Sequence, residues 1–152
     1  MAVKRRACSR CERNRAERFF TSPRGRVCTD CQKKKRRVTA RKQHVSTTYH
    51  LTEAEHSALL AAQNHGCAIC GRKPRYSLEV DHDHRMERFL LEGGSDPHEA
   101  RWMSIRGLLC KPCNRRLLPA ARDNETVLRA AANYVSLPPA WKTLKAPLED
   151  IP

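Results

Sequence analysis

The chain has 152 residues and a formal net charge of +14, and 39% of its residues are hydrophobic and 5% aromatic. This length allows one ordinary domain or two very small ones, with so little apolar core that a covalent or metal staple is needed. No apolar run is long enough for a signal peptide or a membrane-spanning helix, which argues against a membrane protein and predicts a cytoplasmic location.

The cysteines indicate metal rather than disulfides. All eight lie in Cys-x-x-Cys pairs, and two such pairs complete a tetrahedral four-thiolate zinc site. A reducing cytosol disfavours the alternatives, disulfides or redox-active dithiols. Sequence order predicts two structural Zn²⁺ sites, and spacing alone leaves crossed pairing between them open. The first site comprises Cys8, Cys11, Cys28 and Cys31, and the second comprises Cys67, Cys70, Cys110 and Cys113.

The positive charge is concentrated in residues 1–44, which hold 16 of the 30 Lys and Arg residues but 3 of the 16 Asp and Glu residues. Such an excess indicates a polyanionic partner. A short helix leaving the second Cys pair would lay the following KKKRR run along phosphates. The alternative is a solubilising or disordered tail, and membrane binding is disfavoured because the segment lacks an apolar face. The predicted DNA-binding residues here are Lys33, Lys34, Lys35, Arg36 and Arg37.

The first predicted elements precede the third Cys pair. FFTSPRGRVC, residues 19–28, is interpreted as a hairpin with its turn at residues 23–25, and residues 38–49 as a polar linker. Thr52 followed by Glu55 is a capping box, which predicts a helix from there to about Asn64. Gly66 is expected to end that helix.

Two strands and two helices are predicted after the third Cys pair. LEVDHDH, residues 78–84, alternates with period two and predicts a strand whose two faces carry different side chains, and Ile105–Leu109 predicts a second strand. Asn114 should begin a short helix interrupted near Pro119, and Asp123 should cap a final helix over about residues 124–135.

Residues near these strands suit phosphodiester hydrolysis, which needs a nucleophilic water, a base and cationic stabilisation of the phosphate. The Asp81 carboxylate and the Asn114 amide oxygen could hold one Mg²⁺ or Mn²⁺ ion. His82 is a candidate base, but an ideal strand points it away from Asp81, so a twist or bulge would be needed. The alternatives are a surface Asp-His hydrogen bond and an Asn helix cap. Asp83 is expected to orient a histidine or face solvent.

Three segments carry a family resemblance: YHLTEAEHSALLAAQNHGCAICG, LEVDHDH and IRGLLCKPCNRRL. Together, over about residues 49–135, they resemble the recombination endonuclease VII family of bacteriophages, within the HNH or ββα-metal nucleases. The resemblance implies structural zinc, a separate catalytic Mg²⁺ or Mn²⁺, His82 as general base, Asp81 and Asn114 as ligands of that ion, and a supporting role for His84. It also makes a homodimer one option. The CSRC to CTDC segment is similar to a small zinc module that precedes HNH domains in other phage-type proteins.

The expected fold is therefore a small zinc-stapled α+β protein. A ββα-metal (HNH) finger with flanking helices would occupy residues 51–136, after a basic zinc ribbon or knuckle module at residues 1–37 and a linker at residues 38–50; residues 137–152 would be a tail. Residues 85–104 replace what is usually a short turn, and a substrate wedge, a dimer contact or a lineage decoration remain open. Further predicted DNA contacts are Arg106, Lys111 and Arg115, with Arg116 beside them.

Two function classes follow. The first is a metal-dependent DNA endonuclease in phage recombination or packaging, which cuts branched DNA such as a Holliday junction or nicks duplex DNA. The second is a non-catalytic zinc protein that binds nucleic acid as a regulator or packaging accessory. Asp81, His82 and Asn114 favour the enzyme, because a binding protein has no use for that combination around one zinc hairpin.

Overall fold

A computed structural model describes residues 4–140. They form two compact units, one made of residues up to Ala58 with His82–Ile105, the other of Leu59–Asp81 with the residues from Arg106 on. The fold is α+β, with two two-stranded antiparallel sheets. Its elements are β1 (Arg5–Ala7), β2 (Asn14–Ala16), α1 (Thr29–Tyr49), α2 (Glu53–Ala62), β3 (Glu79–His82), α3 (His84–Glu92), α4 (Pro97–Met103), β4 (Ile105–Leu109), α5 (Leu118–Ala120) and α6 (Glu125–Ser136). Of the predicted tail, residues 141–152 lie outside the described residues.

The first unit begins with a hairpin in which β1 pairs with β2, Arg5 opposite Ala16. The hairpin predicted at residues 19–28 is wrong: residues 20–28 form a turn, closed by a 3.0 Å bond from Gly25 N–H to Ser22 C=O, and an extended approach to the second Cys pair. Burial explains the difference, because Phe20 packs against cysteine sulfurs and holds this segment without strand pairing.

The small core of this region is built on cysteine. Cys8 and Cys28 are fully buried, and Phe20 is 7% exposed. The Arg6 guanidinium lies 4.0 Å from the centre of the Phe20 ring, a cation–π contact that covers its outer side. Such a core buries little apolar surface, so its stability depends on what joins the sulfurs.

Helix α1 contains 21 residues and begins directly at the second Cys pair. The interpretation of residues 38–49 as a linker is therefore corrected: they are helical. Between Thr29 and Tyr49 the sequence has no Gly or Pro and many Lys, Arg and Gln residues, which propagate a helix once it is started. An ion pair of 2.7 Å between Arg15 and Asp30 ties β2 to the first turn. The helix ends at His50, which has left-handed backbone angles.

The capping box of α2 is confirmed. Thr52 N–H donates to the Glu55 carboxylate at 2.8 Å, and Glu55 N–H donates to the Thr52 hydroxyl at 3.2 Å. The helix ends at Ala62, two residues earlier than predicted, and Asn64 and His65 have positive φ. Gly66 has a different role from the predicted stop: a Cβ there would lie 2.4 Å from the Gly71 carbonyl oxygen, so only glycine allows the chain to pass the third Cys pair.

The predicted strand is shorter than its alternating pattern, because β3 ends at His82. The Asp83 carboxylate accepts hydrogen bonds from Arg85 N–H and Met86 N–H and caps α3, so Asp83 begins a helix and does not extend the strand. Residues 85–104 form two packed helices, α3 and α4, with Asp96 capping α4. Each Asp side chain is short enough to accept hydrogen bonds from the backbone N–H groups in the first turn of the helix that it caps.

Strands β3 and β4 form one sheet whose buried side chains include Val80, Leu108 and Leu109. Gln63 fixes β4 from the side: its amide nitrogen donates to Leu108 C=O at 2.8 Å and its amide oxygen accepts from Leu108 N–H at 2.9 Å. The predicted strand Ile105–Leu109 is confirmed.

The helices after β4 differ in detail from the prediction. A π-helical turn, Cys113–Leu117, leads into α5 without a break at Pro119, which occupies the first turn of α5, where its missing N–H is not needed. Helix α6 is capped by Asn124, whose side-chain oxygen accepts from Thr126 N–H and Val127 N–H. The predicted cap, Asp123, instead has a positive φ.

Candidate active site and metal centres

The structure brings the eight cysteines together as two tetrads. Each set offers four sulfur atoms within 4.8 Å of one another. The groupings follow sequence order, so crossed pairing is ruled out, and none of the eight forms a disulfide. Four thiolates at this spacing suit Zn²⁺, so both tetrads could hold it. The first tetrad comprises Cys8, Cys11, Cys28 and Cys31, and the second comprises Cys67, Cys70, Cys110 and Cys113.

Backbone N–H groups prepare one sulfur in each tetrad for metal. Cys28 N–H donates to Cys8 Sγ at 3.3 Å, and this bond, with others from the backbone, lowers the pKa of Cys8 to about 6. Burial acts to raise the pKa of Cys67, but N–H donors from Cys70 and Cys110 outweigh it and lower that pKa to about 6. The lowered pKa favours the thiolate, which is the form that binds metal.

A second kind of cluster lies in the first unit at the end of β3 and the start of α3. His82, His84 and Glu87 offer ligand atoms within 4.8 Å of one another. The side chains of His82 and Glu87 are only 11% and 13% exposed. The His82 ring packs edge-on against the rings of Tyr49 and His84, with centroids 5.5 and 4.3 Å apart. These contacts fix the orientation of the imidazole.

Arg101, from α4, and Glu87, from α3, both lie at His82 Nε2. Arg101 Nη1 is 3.1 Å from this nitrogen, Glu87 Oε2 is 3.5 Å from it, and Arg101 Nε pairs with Glu87 at 2.6 Å. The guanidinium only donates and the carboxylate only accepts, so the two contacts favour opposite protonation states of Nε2. The cluster therefore holds in place an imidazole that can give or take a proton.

Asp81, the residue before His82, has partners in the second unit. Its side chain is 9% exposed and accepts two hydrogen bonds from Arg106, at 2.7 and 3.0 Å. Arg106 also donates to Asp123 at 3.0 Å. Hydrogen bonds to these two carboxylates, that to Asp81 being the larger effect, raise the pKa of Arg106 further above its ordinary value. Asp81 and His82 thus have separate partners, as alternation along a strand requires.

Asn114 lies in the π-helical turn, and its amide nitrogen donates to the Glu79 carboxylate at 3.1 Å. Arg115 pairs with the same carboxylate at 2.6 and 2.9 Å. Burial acts to raise the pKa of Glu79, but hydrogen bonds from Arg115 and Asn114 lower it below its ordinary value. The structure therefore pairs the two predicted magnesium ligands with different groups, Asp81 with Arg106 and Asn114 with Glu79.

The predicted DNA contacts lie at several places. The five cations of residues 33–37 are exposed on α1, which is longer than the short helix predicted there. Lys111 lies over the Tyr76 ring at 5.4 Å. Arg106 and Arg115 are committed to Asp81 and Glu79 respectively, although the Arg115 side chain is still 67% exposed.

Sequence reasoning missed Glu79, Glu87 and Arg101 at these sites. Glu87 follows His84 by three residues, a spacing that places both on one helix face, but residues 85–104 were not interpreted as helical. The Asp83 and Asp96 caps were the available signal, since each precedes a helix that is now seen. Glu79 could have been found as the acid nearest to Asp81 on the same strand face.

Comparison with known proteins gave a family match and related phage proteins. The family described as recombination endonuclease VII matches residues 42–137. A "Gene 59 protein" of Mycobacterium phage D29 is 33% identical over 119 residues, which cover 75% of this chain and 62% of that protein. A "Gene 59 protein" of Mycobacterium phage L5 is 31% identical over 113 residues, covering 72% and 58% respectively. The chain thus spans about three fifths of the length of these relatives.

No solved structure matches the chain. Among the described helices, none combines the length and the apolar character that crossing a membrane requires. The match over residues 42–137 covers more than half of the chain and includes the second tetrad, the His82 cluster and Asn114. On this evidence the chain belongs to the recombination endonuclease VII family.

Proposed function

We propose that this protein is a metal-dependent DNA endonuclease of the HNH type that hydrolyses phosphodiester bonds, with branched DNA in phage recombination as its substrate. The observation that carries the proposal is the largely buried His82 imidazole, which the rings of Tyr49 and His84 hold beside the ion pair of Arg101 with Glu87. A histidine oriented in this way is suited to remove a proton from an attacking water. Family membership supports the same reading.

Each residue has a distinct proposed role. His82 takes the proton from water, and Glu87 with Arg101 holds its ring in place. Arg101 can also donate to a phosphate oxygen, because a guanidinium forms paired hydrogen bonds with phosphate. His84 supports the ion or the scissile phosphate, as the sequence predicts. Asp81 and Asn114 are the proposed ligands of the catalytic ion.

The donor types fit magnesium or manganese, because a carboxylate and an amide oxygen are hard ligands. Asn114 donates its amide nitrogen to Glu79, which fixes the direction of its amide oxygen. A bound divalent ion would act there as a Lewis acid for the phosphate and the leaving oxygen. Asp81 is at present bound twice by Arg106, so Arg106 competes with any cation for this carboxylate.

Replacement of that guanidinium should therefore change the metal requirement. In Arg106→Gln, we expect the magnesium concentration that gives half-maximal cleavage to fall about tenfold, since a hydrogen-bonded charge contributes roughly 1.5–3 kcal/mol. The measurement is a magnesium titration of the cleavage rate. Arg129→Gln is the matched control, because Arg129 pairs with the exposed Glu125 of α6 and its loss should leave the titration unchanged. A higher magnesium requirement in Arg106→Gln would contradict the competition.

The proposed fold of the catalytic part is a ββα-metal finger formed by β3, β4 and the helical segment from Cys113 to Ala120. The second tetrad supports this, since its cysteines flank both strands in sequence. The basic N-terminal zinc module is proposed to hold DNA through residues 33–37 of α1, whose cations are all exposed. A homodimer would provide the two coordinated cuts that resolving a four-way junction requires.

The experiment that tests the function compares a labelled four-way junction with its matched linear duplex, each incubated with the zinc-loaded protein. We expect paired cuts near the branch point with Mg²⁺ or Mn²⁺ and no cuts when the divalent ion is left out. Equal nicking of both substrates would show a general nickase instead. Tight DNA binding without cleavage under any of these ions would favour the alternative, a non-catalytic zinc protein that uses the α1 cations for binding.

A further inference from the structure

Helix α3 has one packed face and one exposed face. Glu87 and Leu90, three residues apart, are half-buried where α3 packs on α4. The opposite side carries Arg85, Arg88 and Phe89, all exposed. Phe89 is 70% exposed, and Met86 beside it is 49% exposed. An aromatic ring is therefore exposed to solvent beside two cations. It lies in the segment of residues 85–104, for which a substrate wedge, a dimer contact and a lineage decoration are the open options.

The position of this ring relates it to the His82 cluster. His84, a member of that cluster, is the first residue of α3, and Phe89 follows five residues later. At about 1.5 Å per residue the ring lies about 7.5 Å further along the helix axis. Nucleotides in a duplex strand are about 3.4 Å apart, so this distance corresponds to about two nucleotides.

Charge and area indicate what covers the exposed face. Among the described residues, neither Arg85 nor Arg88 forms an ion pair, and the acidic Glu92 lies at the far end of the helix. A stable protein partner would need an interface of about 1,200 Å² or more, whereas the cations beside Phe89 make this face complementary to a polyanion. A nucleotide base needs only one aromatic face, with cations beside it for the phosphates.

We propose that the outer face of α3 is a stacking surface for an unpaired base beside the cleavage site. Phe89 would stack on the base, and Arg85 and Arg88 would contact the flanking phosphates. Apolar side chains inserted next to a base step can hold it unstacked, which gives a nuclease a way to prefer branched or distorted DNA over regular duplex. This inference rests on the proposed nuclease function and assigns residues 85–104 to substrate selection.

The test separates base stacking from phosphate binding. Full-length zinc-loaded protein carrying His82→Ala, to prevent cleavage, is titrated by fluorescence anisotropy into a duplex with one unpaired nucleotide at a branch. A second DNA has an abasic site at that nucleotide. We expect the abasic site to weaken binding about tenfold, and Phe89→Ala to weaken binding to the intact DNA equally and to abolish the difference between the two DNAs.

Control variants identify the interaction. Phe89→Trp should keep the difference between the two DNAs, and Arg85→Gln should weaken binding to both equally. Val135→Ala, at an apolar position that is 73% exposed, should change neither. The same loss on the abasic site with and without Phe89 would overturn the proposal, as would a change in oligomeric mass on sedimentation of Phe89→Ala. A Phe89-dependent difference without cleavage by the unmodified chain would overturn only the nuclease function.

Discussion

His82→Ala is expected to lower the rate of magnesium-dependent DNA cleavage by about a hundred- to ten-thousandfold, the usual contribution of a positioned general base. The reason is the position of the imidazole, which the Tyr49 and His84 rings hold beside Arg101. Alanine removes the ring that is proposed to accept the proton from water. The measurement is single-turnover cleavage of a labelled four-way junction at saturating protein.

The control for this variant is His65→Ala, since His65 is exposed and lies outside the cluster. Its cleavage rate should match that of the unmodified chain. Zinc content and affinity for the junction should be unchanged in His82→Ala, which shows that the loss lies in the chemical step. Cleavage by His82→Ala within tenfold of the unmodified rate would reject His82 as the base. A large loss in His84→Ala alone would move that role to His84.

Short-range patterns were sufficient to predict part of the fold. The Cys-x-x-Cys pairs predict both tetrads because each pair needs only a tight turn, and the Thr52 capping box predicts the start of α2 for the same local reason. Strand β4 is predicted from a short apolar run that is bounded by Cys110. In each case the signal is local, a tight turn, a cap or a short apolar run, even where the contact that completes the structure is distant, as between Gln63 and Leu108.

Patterns failed where the same residues are compatible with more than one local structure. The alternation in LEVDHDH continues past the true end of β3, because Asp83 uses its carboxylate to cap α3 rather than to extend a strand. The segment at residues 38–49 looked like a linker because it is polar, yet a polar helix forms when a nucleus at Cys28 starts it and nothing interrupts it.

At the candidate site, contacts between residues that are distant in sequence set the limit. The residue types were predicted, but their partners were not: Arg106 is 25 positions from Asp81, and Asn114 is 35 positions from Glu79. No periodicity relates such pairs, since only the folded β3–β4 sheet and the helical segment after it bring them together. The twist or bulge expected at His82 stays a prediction; Asp81 pairs with Arg106, while His82 contacts Glu87.

The second large effect concerns the Zn²⁺ ion that the second tetrad could hold. Cys110→Ser should lower the zinc content from two ions per chain to one and unfold the unit that contains β4. A structural zinc site contributes about 10–16 kcal/mol, which is as large as the whole stability of a small domain, about 5–15 kcal/mol. The buried core of this unit is small, with Leu108 as its largest fully buried side chain, so it has little to replace the loss.

Cys11→Ser provides the matched comparison, because it removes one ligand of the first tetrad. It should also lose one zinc ion, but it should disturb the amide resonances of β1 and β2 and leave those of β4 in place. Zinc content by atomic absorption and amide spectra of the full-length chain distinguish the two variants. Two zinc ions in Cys110→Ser, or a native β4 spectrum with one, would show that this unit is held by packing alone. Cleavage lost in Cys110→Ser but kept in Cys11→Ser would place catalysis on the second tetrad's side of the chain.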